Sequence, residues 1–505
     1  MESLSELDAS FLYLESDRAP LNVGGAFVFK KKSPRSRFNF NRFREILYSK
    51  LGNERLFRHR VLESSLNLEL PTWAEDPHFD IDNHIHYLSL SDLPGQSSLN
   101  ELTATILSKP LDRDKPLWNV TYVEGLEKQS PYSKQHFALI INIHISAVDG
   151  NTGDDILSQL LKLAPEVHEL PDEENWQPNP LPKSTNWLDE AYSNAFSIPK
   201  KLAHIAKDTA ASAFYGVLAE RLKGLNLPDA LLKVAKTPVN QSVSNKRAVD
   251  TLVIPASQIR TIRQNLNDVT TNDVIMGICA EAICHYLSDN SKTLPKIPLI
   301  AMSPIAVRST SLEVKSGNQL AASLFSLVTT EKDPIQRIRR IHESAQSSSH
   351  YDAAISAARL TELIPSCMAA LSARVYSEFL LAQKHKPMFN LPITNIPGPQ
   401  FPLYMEDNEL ISHTCASPLF DGLGIGITIV SYNGQYTLTT TYCPELVKTT
   451  ESFSHYLEKA LKTIDEGQLT ASSETNLKPA PQTGLIEDAV GLVNNLFSNK
   501  EKADQ

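Results

Sequence analysis

The sequence predicts an α/β protein of two halves joined by a helical linker. Three observations predict it. Strand-length apolar runs alternate with helix-periodic segments through residues 1–165. A Pro-, Glu- and Asp-rich stretch at 164–184 then interrupts the pattern and gives way to Ala-, Lys- and Leu-dominated helix at 187–232. A second α/β series starts at Val249. The expected organisation is a first half over 1–165, a linker with connecting helices over 166–235, a second half over 236–465, and a tail over 466–505.

In the first half, residues 7–15 form a short amphipathic opening and 22–29 a strand led in by glycines, while 38–51 has helical periodicity with Arg and Lys on its polar face. The basic stretch Arg55–Arg60 reads as a solvated face, with contact to the phosphates of a bound ligand as the functional alternative. His84 and His86 alternate as in a strand. With no further ligand cluster nearby they are expected in a surface or core role, not on a metal. A strand follows near Val120–Val123.

Phe137–Ile143 reads as a strand buried on both faces. It runs into His144-Ile145-Ser146-Ala147-Val148-Asp149-Gly150, ahead of a helical pattern over 154–163. A strand that ends in His and passes through Asp-Gly into a helix can hold a base against a ligand. Gly150 lets backbone pass close, and Asp149 can tie down neighbouring groups. The same residues also suit an ordinary strand-to-helix turn.

In the second half, the helix over 271–287 is expected to be capped by Thr271 or Asn272. Strands are expected near 298–302, 320–329, 391–395, 424–431 and 436–442, with Asn433-Gly434 as a hairpin turn. The tail places Leu485, Ala489, Leu492, Val493, Leu496 and Phe497 on one helical face, without the Lys/Arg bias of a membrane-surface helix.

Composition excludes several classes. The chain is 41% hydrophobic and 21% charged, an ordinary globular balance for 505 residues. A net charge of -10 argues against nucleic acid as a partner. Cys279, Cys284, Cys367, Cys415 and Cys443 lie among apolar neighbours with no Cys-x-x-Cys pair, the pattern of reduced, buried thiols. The first residues lack a basic and then apolar leader, and no apolar run reaches the roughly 18 residues needed to span a bilayer. The expected location is cytoplasmic, with peripheral membrane contact left open.

The 144–150 stretch resembles the His-His-x-x-x-Asp-Gly motif of CoA-dependent acyltransferases, with Ile145 in place of the second His. Across roughly residues 1–460 the resemblance sharpens to the bacterial wax ester synthase/diacylglycerol acyltransferase family. It rests on an ordered set: Leu4–Leu12 with Asn22-Val23-Gly24-Gly25, Pro116-Leu117-Trp118, Glu124-Gly125-Leu126, and Thr237-Pro238-Val239-Asn240 with Lys246-Arg247. Thr271-Asn272-Asp273-Val274, Gly317-Asn318-Gln319, Asp333-Pro334, Asn395–Pro399 and Ser431–Gly434 complete it.

The resemblance implies two chloramphenicol-acetyltransferase-like halves with a tunnel at their interface, fed by acyl-CoA from one side and an alcohol or lipid acceptor from the other. It implies no cofactor and no metal, with acyl-CoA as substrate. By its motifs His144, Asp149, Gly150, Asn272 and Asp273 fall in the catalytic set, with Asn272 and Asp273 facing the tunnel. Ile145, Ser146, Arg308 and Asn395 fall on the substrate side. The family's opening His is here Asn22, for which a turn role is the plain alternative. Arg308 could equally be an ion-pair partner.

Ile145 has no proton to take, and general-base catalysis is worth roughly 10²- to 10⁴-fold. Three readings stay open: an O-acyltransferase whose base is relocated, with His144 as candidate; a tailoring acyltransferase using another nucleophile or an acyl carrier protein; and an acyl-binding or regulatory relative. The first is the expectation. Partners would be acyl-CoA, an alcohol or lipid acceptor, an acyl carrier protein, and a membrane or lipid-droplet surface.

Overall fold

The computed structural model describes residues 2–50, 55–63, 70–93, 98–129, 131–148, 160–165, 234–266, 269–291, 294–306, 320–349, 387, 389–449 and 452–475. Two open, mixed six-stranded sheets dominate them. Across the first, the order is Tyr404–Met405, Asn408–His413, Asn22–Lys30, His136–His144, Trp118–Glu124 and Ile85–Ser89. Across the second it is Leu320–Ser326, Ile300–Ala306, Leu391–Pro397, Ile425–Tyr432, Gln435–Tyr442 and Ala248–Pro255. Most of the linker at 166–235, the helix pattern at 154–163 apart from its last residues, and the amphipathic tail segment lie outside the described residues.

The His136–His144 strand is the spine of the first sheet. It pairs antiparallel on both sides, and every residue after His136 is buried, as an uninterrupted apolar run requires. Phe137, Leu139, Ile141 and Ile143 point into one core, with Leu12, Phe43 and Ile46 from the helices Glu6–Leu14 and Phe40–Lys50. Ala138 and Ile140 point the other way, against Leu99 and Leu102 of the helix Leu99–Leu107. At roughly 1.5–3 kcal/mol per fully buried large apolar side chain, this strand is among the strongest single contributors to the first half.

The second sheet rests on a helix, Thr271–Ser291, that is apolar nearly all round and lies against the helices Pro334–Ser349 and Phe453–Thr475. Its cap is one residue earlier than expected. Thr270 Oγ1 accepts the Asp273 backbone N–H at 3.2 Å, and Asp273 Oδ2 accepts the Thr270 N–H at 2.7 Å. This reciprocal box satisfies two donors that a Thr271 cap would strand. At the hairpin turn Asn433 and Gly434 have φ 44° and 77°, the left-handed pair that a two-residue turn demands.

Three expectations are revised. Residues 404–413, inside the stretch assigned to the second half, cross over and extend the first sheet, where Asn408–His413 pairs with Asn22–Lys30. The final helix runs to Thr475, past the expected start of the tail, and Leu457, Ala460 and Ile464 bury one face of its first part. The Arg55–Arg60 stretch is only partly a solvated face. Arg58 is buried with its guanidinium 5.9 Å from the Phe79 ring centre, so it is closed to a phosphate. His84 takes the expected core role, stacked on Trp118 with Nδ1 2.8 Å from that residue's carbonyl.

The crossover docks through backbone. Thr414 donates its N–H to the Ala26 carbonyl at 2.9 Å and accepts the Ala26 N–H on Oγ1 at 2.9 Å. Gly25 is what allows the approach, since a Cβ there would sit 1.9 Å from the Thr414 carbonyl oxygen. We therefore expect Gly25→Ala to lift the crossing strand from the first sheet at a cost of about 1–3 kcal/mol. A lowered thermal midpoint by circular dichroism checks this, and an unchanged midpoint refutes it.

Candidate active site

His144 ends the central strand. Its ladder partner is Asn22. The backbone then turns: Ile145–Ala147 is one turn of 3-10 helix, closed by the Val148 N–H on the Ile145 carbonyl at 3.3 Å. His144 is 1% exposed and Ser146 2%, while Ile145 and Val148 are half-buried. Strand alternation accounts for the difference, because neighbouring side chains at the strand's end leave in different directions.

The imidazole is held at Nδ1. Ser146 donates its backbone N–H to His144 Nδ1 at 3.2 Å, and its Oγ lies 2.6 Å from the same nitrogen. A backbone N–H can only donate, so Nδ1 carries the lone pair and the Ser146 hydroxyl donates to it as well. The ring's proton is thereby assigned to Nε2, which makes no hydrogen bond among the described residues and faces Glu15 Oε1 at 3.5 Å. Burial lowers the His144 pKa to about 4. The Glu15 carboxylate opposes the drop and Arg113 adds to it. At neutral pH the ring is uncharged.

Glu15 belongs to a wider network. Its Oε1 accepts the Leu21 N–H at 3.2 Å and its Oε2 takes the Arg113 guanidinium at 2.9 Å. Arg113 also donates to Glu63 Oε1 at 2.7 Å and to the Leu12 carbonyl at 2.6 Å. On the far side lies a pocket of about 330 Å³ bounded by Leu12, Glu15, Asp17, Glu63, Leu111 and Arg113. Neither Glu15 nor Arg113 stood out in the sequence, since the spacing of more than 90 residues between them carries no local pattern.

Asn22 is buried structure, not a turn. Its amide donates to the Leu107 and Lys109 carbonyls at 3.2 and 2.7 Å, tying the sheet to the end of the helix Leu99–Leu107. In the second half, Asn272 is exposed at the start of its helix and accepts the Asn395 amide at 3.0 Å. Asp273, expected to face the tunnel with it, instead turns inward. Beyond the cap, its Oδ2 binds His342 Nδ1 at 2.7 Å. Helical geometry separates the two neighbours by about 100°, so only one of them can face outward.

Among the described residues, Asn272 and Asn395 make no hydrogen bond to His144, Ile145 or Ser146. Asp149, Gly150 and Arg308 lie outside the described residues, as does Gly317-Asn318-Gln319. Among the described residues no group of three or more His, Cys, Asp or Glu side chains could hold a metal, and no helix is long and apolar enough to cross a membrane.

Comparison with known proteins covers nearly the whole chain. The profile of the wax ester synthase/diacylglycerol acyltransferase catalytic domain matches residues 4–275, and that of the C-terminal domain of the same family matches 316–465. A putative diacylglycerol O-acyltransferase of Mycobacterium tuberculosis is 29% identical over 92% of this chain and 90% of its own length. An O-acyltransferase of Acinetobacter baylyi is 27% identical over 92% of this chain and 97% of its own. In structure, a wax ester synthase/diacylglycerol acyltransferase from Marinobacter aquaeolei aligns with a TM-score of 0.67 at 22% identity, covering 92% of this chain and 99% of that one. That alignment supports the two-half α/β fold.

The buried imidazole makes stability depend on pH. With the pKa at about 4 in the folded chain and an ordinary 6.5 when unfolded, the unfolded state takes up its proton first as pH falls. Stability from this group is therefore whole above pH 6.5 and drains away toward pH 4, by up to about 3 kcal/mol. Urea unfolding at pH 7 and pH 5 should show a larger loss in the wild type than in His144→Asn. Equal losses would disprove it.

Proposed function

This chain belongs to the wax ester synthase/diacylglycerol acyltransferase family, and from that premise we propose that it transfers a fatty acyl group from acyl-CoA to the hydroxyl of a long-chain alcohol or of diacylglycerol. The match of both family domains in order, over 4–275 and 316–465, carries the reading.

The reaction joins two lipid-like substrates. The acceptor oxygen attacks the thioester carbonyl, the C–S bond breaks, and CoA leaves as the thiol once the acceptor's proton has been passed on. Binding each chain in an apolar channel gains about 0.8 kcal/mol per buried CH₂, so long acyl groups are favoured over short ones. A membrane or lipid-droplet surface is a fitting source for such an acceptor, and a carrier-protein thioester is chemically equivalent to acyl-CoA at the reacting carbon.

Ile145 takes the position of the imidazole that would receive the acceptor's proton, and it is half-buried. His144 does not replace it by simple rotation, because its ring is enclosed and its Nε2 is turned to Glu15. Their mutual hydrogen bond at 3.0 Å supports reading Asn272 and Asn395 as the second half's polar contact to a substrate oxygen.

Purified protein supplied with palmitoyl-CoA should release thiol and form ester with hexadecanol or diacylglycerol. Ile145→His, by adding an imidazole at the motif's second position, should raise alcohol acylation, by at most roughly 10²-fold, the lower end of a positioned base's worth. Thermal protection by palmitoyl-CoA with no acyl product from any acceptor would instead identify an acyl-binding relative and overturn the proposal.

A further inference from the structure

The side chains around His144 form a chain of proton-handling groups in which the family resemblance assigns His144 and Ser146 but neither Glu15 nor Arg113. Ser146 Oγ stands 2.6 Å from His144 Nδ1, and His144 Nε2 stands 3.5 Å from Glu15 Oε1. Glu15 is fixed by Arg113 and lines the pocket of about 330 Å³. These groups come from the first helix's end, the 111–114 segment and the motif turn, so local backbone geometry alone does not assemble them.

We propose that Ser146 is a catalytic residue that relays the acceptor's proton to His144, standing in for the base that Ile145 lacks, with Glu15 and Arg113 as positioning residues. The inference rests on the acyl-transfer reading above.

The step balances as follows. As the acceptor oxygen bonds to the thioester carbon, its proton moves to Ser146 Oγ and the proton already on that hydroxyl moves to His144 Nδ1. When the C–S bond breaks, the proton on Nδ1 returns through Ser146 to the departing thiolate, giving free CoA thiol and the ester. No other reactant is consumed.

Three features suit this role. The Ser146 hydroxyl donates to Nδ1, and among the described residues its oxygen has no other partner, so its lone pairs remain for an incoming O–H. The depressed His144 pKa keeps Nδ1 unprotonated at neutral pH. The imidazolium formed during transfer carries its other N–H toward the Glu15 carboxylate, which stabilises the charge. Low exposure of Ser146 is compatible with a relay. One hydroxyl contact suffices, and its neighbours Ile145 and Val148 are only half-buried.

The test compares acceptors that differ in their need for a base. With hexadecanol, Ser146→Ala should lose roughly 10²- to 10⁴-fold in turnover. Ser146→Thr, which keeps the hydroxyl, should recover a substantial part. With thiophenol, whose thiolate forms unaided near neutral pH, Ser146→Ala should lose far less, so that the ratio of hexadecanol to thiophenol turnover falls with the variant. Circular dichroism melts establish that each variant is folded.

Equal hexadecanol turnover in wild type and Ser146→Ala overturns the relay while leaving acyl transfer intact. A matching loss with both acceptors also overturns it, because it makes Ser146 merely structural. So does a palmitoyl adduct on Ser146 in intact-protein mass spectrometry, which would make the serine a nucleophile. A wild type that acylates neither acceptor removes the acyl-transfer reading and the relay with it.

Discussion

The register between the strands Asn22–Lys30 and His136–His144 is the constraint on which the rest depends. It pairs Asn22 with His144 and Val23 with Ile143, and so sends Ile143, Ile141, Leu139 and Phe137 to one core and His144, Asn142, Ile140 and Ala138 to the other face. A slip of one residue would exchange the two sets and bury the wrong face throughout. The two large cores on either side of the strand hold it in place, and the motif turn inherits that precision. His144 is therefore committed inward before any question of chemistry arises.

Setting a buried imidazole and carboxylate against the half-buried Arg113 guanidinium is stable only when each has partners. A buried ion pair is weakly stabilising by itself, but removing one member leaves an uncompensated charge. Here Arg113 donates to two carboxylates and a carbonyl, and Glu15 also accepts a backbone N–H. The remaining weak point is His144 Nε2, which has no hydrogen bond among the described residues. A group left slightly short of satisfaction in an otherwise complete network costs stability that packing alone does not return. Proton transfer through the ring would supply a reason for it.

The second half divides the labour between adjacent residues. Asp273 is consumed by helix capping and by His342, which leaves Asn272 exposed with Asn395. An acidic side chain suits the first turn because the helix N-terminus carries partial positive charge. The uncharged amide is the group left facing outward, and a neutral hydrogen-bonding group suits a carbonyl or hydroxyl ligand better than a carboxylate would. His342 was missed because a single His on an amphipathic helix has no local signal. Only the fold brings it to Asp273.

Much of the architecture was legible in the amino-acid order because it is written locally. The buried strand ending at His144, the Asn433-Gly434 turn and the alternation of strands and helices follow from periodicity and backbone preference over a few residues. The helix Leu99–Leu107 went unread although its Ser98-x-x-Glu101 capping box is a local signal, and its packing against the sheet was not legible at all. The order of residues 144–146 likewise named the chemical types at the site. What those types face is another matter. The crossing of Asn408–His413 to the first sheet, the seating of Arg113 on Glu15, the burial of Arg58 and the inward turn of Asp273 join positions tens to hundreds of residues apart. Periodicity states which residues share a face of one element, and hydrophobic burial is indifferent to which partner element covers it. Only the closed packing of the whole chain, where every buried polar group must find a partner, decides the rest.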